Sequence, residues 1–552
     1  MSMKKLHSHQ MLRFIDKTWY QAFHMAATTY PDNEAISFNG KRILYRDYLV
    51  ETDTLAKALY SLGVRRGDHV ALWMTNRPEW LLVRFALHKL GAVLVPLNTR
   101  YKSYELSYVL NQSDAKVLIM EEKFIDKINA MTILQELSPE LNFSKPGKLN
   151  LQKFPLLKSI VCLGQQQYKG CLSWEELLGL ANGVEARHFG NDVQPDDTAY
   201  IMYTSGTTGL PKGAMIAHKS GLITTAMMIE FFNVQPNDVI LIPGPLFGNI
   251  GLLRSSSAHL AGAKVVLMNQ WNPELALKLI ESERVTIVAL LPTMLIDLFA
   301  LPSFPHYDTS SIKFIAIGGA RVPAELVFQV KKKFNAEIVV TYGLVEGSGW
   351  TSIVPPGDTI DHISTTVGLC LPHCEVAILD CNTAKTLPPG QEGEICTKEV
   401  FPGSQFMKGY YKKPELTQET IRDGWLHSGD LGWVDEDGYL RITGRLKELI
   451  IVGGFNVSPA EIEDFLLKNP KIENVAVVGL PDERLGEVVG AFIRLKRGER
   501  ATSEEIIDFC RKELSDIKVP RHVFFIEEFP LTPQGKIQKF KLREQILEKL
   551  SS

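Results

Sequence analysis

Short runs of β-branched and other apolar residues alternate along the chain with longer stretches of mixed polarity. The runs His69–Met74, Ala92–Pro96, Lys116–Met120, Val239–Ile242, Lys264–Met268, Val285–Leu290, Phe314–Ile317 and Glu337–Val340 read as strands. Between several of them the spacing is helix-length, as in Glu79–Lys89 and Pro273–Glu283. Such alternation predicts βα units and largely parallel sheets.

The pattern repeats. From Asp68 to Gly91–Ala92 the chain offers a strand, a helix and a turn into a new strand, and Asp238 to Gly262–Ala263 does the same. Each copy continues with an Asn (Asn98, Asn269), a Glu-Leu helix start (Glu105–Leu106, Glu274–Leu275) and a Ser plus acid (Ser113–Asp114, Ser282–Glu283). Two similar α/β halves packed side by side are expected. From about Gly368 short strands recur with turn pairs, among them Pro389–Gly390, Glu392–Gly393 and Asp437–Gly438, which suggests a small antiparallel or barrel-like segment. After Gly444–Arg445 the texture becomes a shorter βαβ. The expected division is an N-terminal domain over 1–445 and a small α+β C-terminal lid over 446–552, with the boundary at Arg445–Lys447.

Charge narrows the function. The chain has 552 residues, with 60 Lys+Arg against 63 Asp+Glu and a net charge of −3, which argues against nucleic acid as the main partner. Hydrophobic residues at 45% and charged residues at 22% are the balance of an ordinary soluble globular protein. Seven Cys in so long a chain make no disulfide framework, and Cys370, Cys374 and Cys381 lack zinc-finger spacing, so they read as reduced, packed thiols. No signal peptide is expected, since no apolar run follows the lysines near Met1, and the most apolar stretch, Thr286–Leu301, is broken by Pro292 and Asp297. The expectation is a cytoplasmic protein without a transmembrane segment. Peripheral membrane contact and oligomer formation stay open.

The segment Tyr203-Thr204-Ser205-Gly206-Thr207-Thr208-Gly209-Leu210-Pro211-Lys212-Gly213 carries the most chemistry. Five hydroxyl side chains and three glycines surround one lysine. Glycines let backbone N–H groups turn inward as an anion nest, hydroxyls add donors, and lysine adds a mobile point charge. That equipment suits polyphosphate oxygens. The segment is not a Walker A loop, because Pro211 precedes the lysine and Gly213 follows it.

This segment resembles the phosphate loop of the adenylate-forming superfamily, which contains acyl-CoA synthetases, firefly luciferase and peptide-synthetase adenylation domains. The resemblance runs on in order from Thr29 to about Lys541. Gly318-Gly319-Ala320 is similar to the family's adenine strand, and Tyr342-Gly343-Leu344-Val345-Glu346 to its tyrosine–glycine–glutamate motif. His427-Ser428-Gly429-Asp430 resembles the aspartate motif and Gly444-Arg445-Leu446-Lys447 the hinge. Ile451-Val452-Gly453-Gly454-Phe455 resembles the lid's glycine loop, and Pro533-Gln534-Gly535-Lys536-Ile537 its lysine motif.

The resemblance implies an α/β fold with a mobile lid, and an AMP-forming acid–thiol ligase that uses ATP, Mg²⁺ and coenzyme A. It assigns ATP to Thr204, Ser205, Gly206, Thr207, Thr208, Lys212, Gly319, Ala320, Tyr342, Gly343, Asp430, Arg445 and Lys536. Residue chemistry agrees. Tyr342 offers a flat face to adenine, and Asp430 can accept two hydrogen bonds from a ribose diol. Glu346 is acceptor-only, so a Mg²⁺ bridge would reconcile it with polyphosphate. Arg445 brings a planar fork for phosphate or ribose oxygens. Lys536, Lys212, Glu346 and Arg445 are the catalytic candidates, Lys447 the pivot, and Gly453 and Gly454 the coenzyme A loop of the lid.

Two positions depart from the family. Val345 stands where Thr is usual before the glutamate, and Gly248-Asn249 follow Pro245-Leu246-Phe247 where a ring is common. The acid-pocket candidates Phe247, Gly248, Asn249, Gly318, Leu344 and Val345 carry no charge, which favours a hydrophobic acid such as a fatty acid. No aspartate for an α-amino group is visible near Phe247–Asn249. No carrier domain is expected after Lys536, and Lys549-Leu550-Ser551-Ser552 is not the peroxisomal Ser-Lys-Leu. Two other readings remain: an enzyme that loads a carrier-protein thiol, and a nucleotide-binding regulator without turnover, supported only by Val345 and Gly248.

Overall fold

The computed structural model describes residues 9–124, 129–185, 189–204, 211–318, 322–452, 455–482, 484–514, 516–531 and 536–551. The chain divides into two compact units, Met1–Val376 with Thr397–Leu426, and Ala377–Cys396 with His427–Ser552. The boundary expected at Arg445–Lys447 lies inside the second unit.

The first unit contains two large sheets. One orders Leu369–Cys370, Gly349–Ile353, Glu337–Leu344, Phe314–Gly318, Ile287–Leu290, Val239–Ile242, Lys264–Leu267, Glu34–Phe38 and Lys41–Leu44 from edge to edge. The other orders Gly409–Tyr410, Lys212–Ala217, Thr198–Thr204, Val93–Pro96, His69–Trp73, Val117–Glu121, Ser159–Leu163 and Cys171–Ser173. Their central pairs are parallel, as expected from βα alternation. Antiparallel pairs occur toward the edges, including Thr198–Thr204 with Lys212–Ala217.

The internal repeat is real in the backbone. The helices Pro78–Leu90 and Asn249–Ala261 each end on a left-handed glycine, Gly91 (φ 68°) and Gly262 (φ 78°). In each copy the aspartate carbonyl then accepts from the incoming strand: Val93 N–H to Asp68 at 2.8 Å, Lys264 N–H to Asp238 at 3.0 Å. Strand residues alternate between cores, as a period of two requires. Val70, Leu72, Ile240 and Ile242 share one cluster, while Ala71 and Trp73 join a second and Val239 and Leu241 a third. The shared cluster therefore lies between the two sheets. Helices Trp19–Thr29, Tyr45–Ser61, Pro78–Leu90, His218–Phe231 and Asn249–Ala261 contribute to it.

The second unit carries residues 393–396 of strand Gly393–Glu399, residues 427–434 of strand Trp425–Val434, and strand Leu440–Arg445, all in one five-stranded sheet, with Trp425–Val434 and Leu440–Arg445 paired antiparallel as the turn pairs suggested. Its C-terminal part is an α+β sheet ordered Phe455–Val457, Ile450–Val452, Gly486–Leu495, Ile472–Asp482, with His522–Phe525 beside Gly486–Leu495. Only that last pair is parallel, so the expected βαβ texture is largely antiparallel there. Among the described residues no helix is long and apolar enough to cross a membrane.

Candidate active site

In the first unit the strands on either side of the phosphate segment pair so that Thr204 faces Lys212. Residues eight apart in sequence are thereby neighbours. Ser205, Gly206, Thr207 and Thr208 lie outside the described residues, as do Gly319 and Ala320.

Glu346 sits in the turn between strands Glu337–Leu344 and Gly349–Ile353. Its Oε1 accepts from the Tyr410 hydroxyl at 2.7 Å and from Thr204 Oγ1 at 3.4 Å. Its carbonyl accepts the Met407 N–H at 2.8 Å, which ties the turn to the segment bearing Tyr410. The Lys212 ammonium lies 5.5 Å from the Tyr410 ring centre. Burial, then the Glu346 charge, pushes the Tyr410 phenol far above its ordinary range, so it stays a neutral donor. Thr204, Lys212, Glu346 and Tyr410 thus gather a cation, a carboxylate and two hydroxyls. Both donors to Glu346 use Oε1. Oxygen ligands of this kind suit a hard divalent cation such as Mg²⁺ bridging to phosphate. Tyr410 was not foreseen; it lies 64 residues from Glu346 and belongs to no recognised motif.

Strand Glu337–Leu344 runs further than expected, so Tyr342, Gly343 and Leu344 are strand residues. A Cβ at Gly343 would collide with the Gly349 carbonyl, and only glycine allows that antiparallel partner so close. Gly318 pairs with Thr341. A Cβ on it would stand 2.8 Å from Thr341 Oγ1 and 3.9 Å from Ile250 Cδ1. The strand end at Gly318 is thereby next to the helix that begins at Asn249, which brings two of the acid-pocket candidates into one neighbourhood.

Gly248 is the N-cap of that helix, with φ −92° and ψ 152°. This is ordinary extended backbone, and a Cβ there would meet the Pro245 carbonyl only at 3.4 Å. The backbone does not demand glycine at 248, so the missing side chain leaves space. Phe247 and Asn249 are half-buried. Val345 is half-buried and packs against the core cluster between the sheets.

In the second unit Asp430 and Arg445 are register partners on adjacent strands. Arg445 Nε lies 2.8 Å from Asp430 Oδ1, with Asp430 buried and Arg445 42% exposed. The turn leading to Asp430 is held at several points. Ser428 Oγ accepts the Asp430 N–H at 2.9 Å and donates to the Ile395 carbonyl at 2.6 Å. Glu394 Oε1 accepts the Gly429 N–H at 3.0 Å, and Glu394 Oε2 lies 2.7 Å from His427 Nδ1. Gly429 has φ +70°, the left-handed region. Glu394 was also not foreseen, nor was the grouping of Glu394, Cys396 and His427, whose ligand atoms lie within 4.8 Å of one another. Of the thiols expected to be packed, Cys381 is instead exposed.

Lys536 keeps solvent access, but surrounding protein atoms and then the Arg445 charge lower its pKa, against the pull of Asp430 and Glu448. Three charged motif residues of the second unit therefore act on one another. Lys539, three residues on, is ion-paired to Glu448 at 3.2 Å and Glu463 at 2.7 Å, which gives it a structural task. Lys447 lies in the 3₁₀ turn Leu446–Glu448 directly after Arg445. Gly453 and Gly454 lie outside the described residues.

The fold and these motif positions define an AMP-forming ligase. The family model for AMP-binding enzymes matches residues 23–411, and that for the AMP-binding enzyme C-terminal domain matches 461–536. YngI of Bacillus subtilis is 37% identical over 548 residues, covering 98% of both chains. The medium-chain acyl-CoA ligase ACSF2, mitochondrial, of Mus musculus is 34% identical over 562 residues, covering 99% of this chain and 90% of that one. Among solved structures, an anthranilate CoA ligase bound to anthranoyl-AMP superposes with TM-score 0.84 at 26% identity over the whole of both chains. A fatty acyl CoA synthetase of Mycobacterium tuberculosis gives TM-score 0.74 at 28% identity, over 96% of this chain and 98% of that one. The chain belongs to the AMP-binding enzyme family of the adenylate-forming superfamily, in its acyl-CoA synthetase branch. It is an acid–CoA ligase that uses ATP, coenzyme A and a small carboxylic acid.

Proposed function

We propose that this ligase activates an apolar acid, a medium-chain fatty acid, and passes it to free coenzyme A. One observation carries the reading: the pocket candidates Phe247, Gly248, Asn249, Gly318, Leu344 and Val345 bring no charged side chain, and Gly248 leaves space its backbone does not require. The chain length follows the printed name of the mouse relative.

In the first half-reaction an acid oxygen attacks the α-phosphorus of ATP. The bond to the bridging oxygen breaks, and pyrophosphate leaves with its electron pair. Lys212 and Lys536 offset charge as it builds on the transferred phosphate. Glu346, supported by Thr204, is the residue to hold Mg²⁺, which when bound would neutralise phosphate charge. Tyr342 and Asp430 take adenine and ribose, and Arg445 steadies the nucleotide from beside Asp430. In the second half-reaction the coenzyme A thiolate attacks the acyl carbon and AMP departs. That step breaks the acyl carbon–oxygen bond, its electron pair leaving on the AMP phosphate, and phosphorus stays four-coordinate, so the five-coordinate transition state that Lys536 serves does not form and Lys536 is dispensable there. A lid comprising 446–552 would rotate about Lys447 between the two steps. Gly453 and Gly454 would line the coenzyme A path. The cytoplasmic location expected from the sequence belongs to this proposal, beside a relative named as mitochondrial.

The test is thioester formation from free coenzyme A with butyrate, decanoate, palmitate, benzoate and phenylalanine. Decanoate is expected to give the highest kcat/KM. Preference for phenylalanine would overturn the apolar pocket, and acid-dependent pyrophosphate release without thioester would favour a carrier-protein acceptor.

A further inference from the structure

The layer between the two sheets of the first unit holds a group of buried hydrogen-bond donors that the ligase chemistry does not use. Trp19, Arg84, Tyr200 and His218 are each fully buried. Among the described residues Trp19 Nε1, Arg84 Nε and Nη2, Tyr200 OH and His218 Nε2 have no hydrogen-bond partner. His218 Nδ1 accepts the Trp19 backbone N–H at 3.2 Å. The ring proton is therefore on Nε2, which makes that atom a donor. Burial pushes His218 down to about 3 and keeps the ring neutral. Burial also pushes the Tyr200 phenol well up, so its proton stays on.

These groups adjoin one another. The Arg84 guanidinium carbon lies 4.6 Å from the Trp19 ring centre. Tyr200 OH and Trp19 Nε1 border the side-chain position of Gly221, at 3.2 and 3.4 Å from where its Cβ would stand. Gly221 is three residues after His218 on helix His218–Phe231, hence on the same face. His88, one turn after Arg84, sits 5.2 Å from His218 between ring centres.

The charge balance sets the kind of ligand. Burial lowers Arg84 only to about 10, so it is a cation at neutral pH, and among the described residues no carboxylate pairs with it. Its protein acceptor is the Leu252 carbonyl at 3.4 Å from Nη1. The acid that acts on His218 is Asp197, already engaged by Arg66 and the Gln194 N–H. A buried cation without a counter-charge is costly, and stacking on Trp19 and Phe85 offsets only part of that cost. A water could satisfy donors but brings no charge. We propose that Arg84, Trp19, Tyr200 and His218 form an internal binding site for one small monovalent anion of halide size.

Crystals of the full chain grown in sodium bromide test this directly. The expected result is an anomalous bromine peak within hydrogen-bonding distance of Arg84 and at least one of Trp19 Nε1, Tyr200 OH and His218 Nε2. Density beside Arg84 without an anomalous signal would mean ordered water and would overturn the proposal. Thermal unfolding at fixed ionic strength gives a second readout, with sodium bromide replacing sodium gluconate. The midpoint should rise saturably by about 2 °C for the unmodified chain and not at all for Arg84→Met. An equal rise in both proteins would also overturn it. If Arg84→Met does not fold, Tyr200→Phe takes its place, with a weaker halide response expected.

Discussion

Arg445 Nε stands 2.8 Å from Asp430 Oδ1 across two adjacent antiparallel strands, so the residue proposed for the ribose and the residue proposed for the nucleotide hold each other. The exposed arginine is one the ligand can draw on, while the backbone N–H of the buried aspartate is held by Ser428 Oγ. Asp430→Ala removes the acceptor for the ribose diol and leaves Arg445 without this partner. ATP affinity should fall roughly 5- to 150-fold, the equivalent of about 1–3 kcal/mol. Isothermal titration with ATP checks this, and unchanged affinity would take Asp430 off the ribose.

Tyr410→Phe deletes the 2.7 Å hydrogen bond to Glu346 while keeping the ring. A hydrogen bond to a charged group is worth about 1.5–3 kcal/mol, so adenylate formation should slow by roughly 10- to 150-fold. Binding of the acid should change little. A rapid-quench measurement of pyrophosphate release decides, and an unchanged rate would mean that Glu346 is positioned without this hydroxyl.

Val345→Thr restores the hydroxyl usual in the family. Val345 packs against the core between the sheets, so the added hydroxyl must be desolvated there. The variant should form adenylate no faster than the parent and melt at a lower temperature. A gain of about tenfold or more in the first half-reaction would show that the missing hydroxyl limits it.

The strands and helices were legible because alternation of two and helix-length spacing survive in single sequences. Val239–Ile242 and Pro273–Glu283 have the bounds their residues suggested. Motif residues were legible because their chemistry is local. Tyr410 and Glu394 were not, since each acts through register with residues far along the chain. Tyr410 reaches Glu346 across 64 positions, and Glu394 reaches Gly429 across 35. Neither has a neighbour in sequence that marks it. The same holds for Arg84, whose isolation among apolar and aromatic groups appears only once five helices are packed together.

Lys536 should give the first half-reaction an alkaline limb. Desolvation by surrounding protein atoms and then the Arg445 charge lower its pKa below the ordinary lysine value. The cation is the useful form, so adenylate formation should be full at low pH in this range and fall as pH rises through that lowered pKa. The limb should lie below about 10.4. In Lys536→Arg it should move beyond the accessible range, because guanidinium stays protonated. A limb that stays in place in the arginine variant would assign it to another group.

Single-turnover assays of the separate half-reactions, on the parent, Lys536→Ala and Lys447→Pro, test the two-step account most directly. Lys536→Ala should slow adenylate formation by about 10²–10³-fold, the range for loss of one preorganised transition-state donor. Thioester formation from supplied acyl-adenylate should hardly change. Lys447→Pro fixes φ near −65° at the proposed pivot and should do the reverse, sparing the first step and abolishing the second. Equal loss of both half-reactions in both variants would contradict an alternating lid and the division of labour proposed for Lys536.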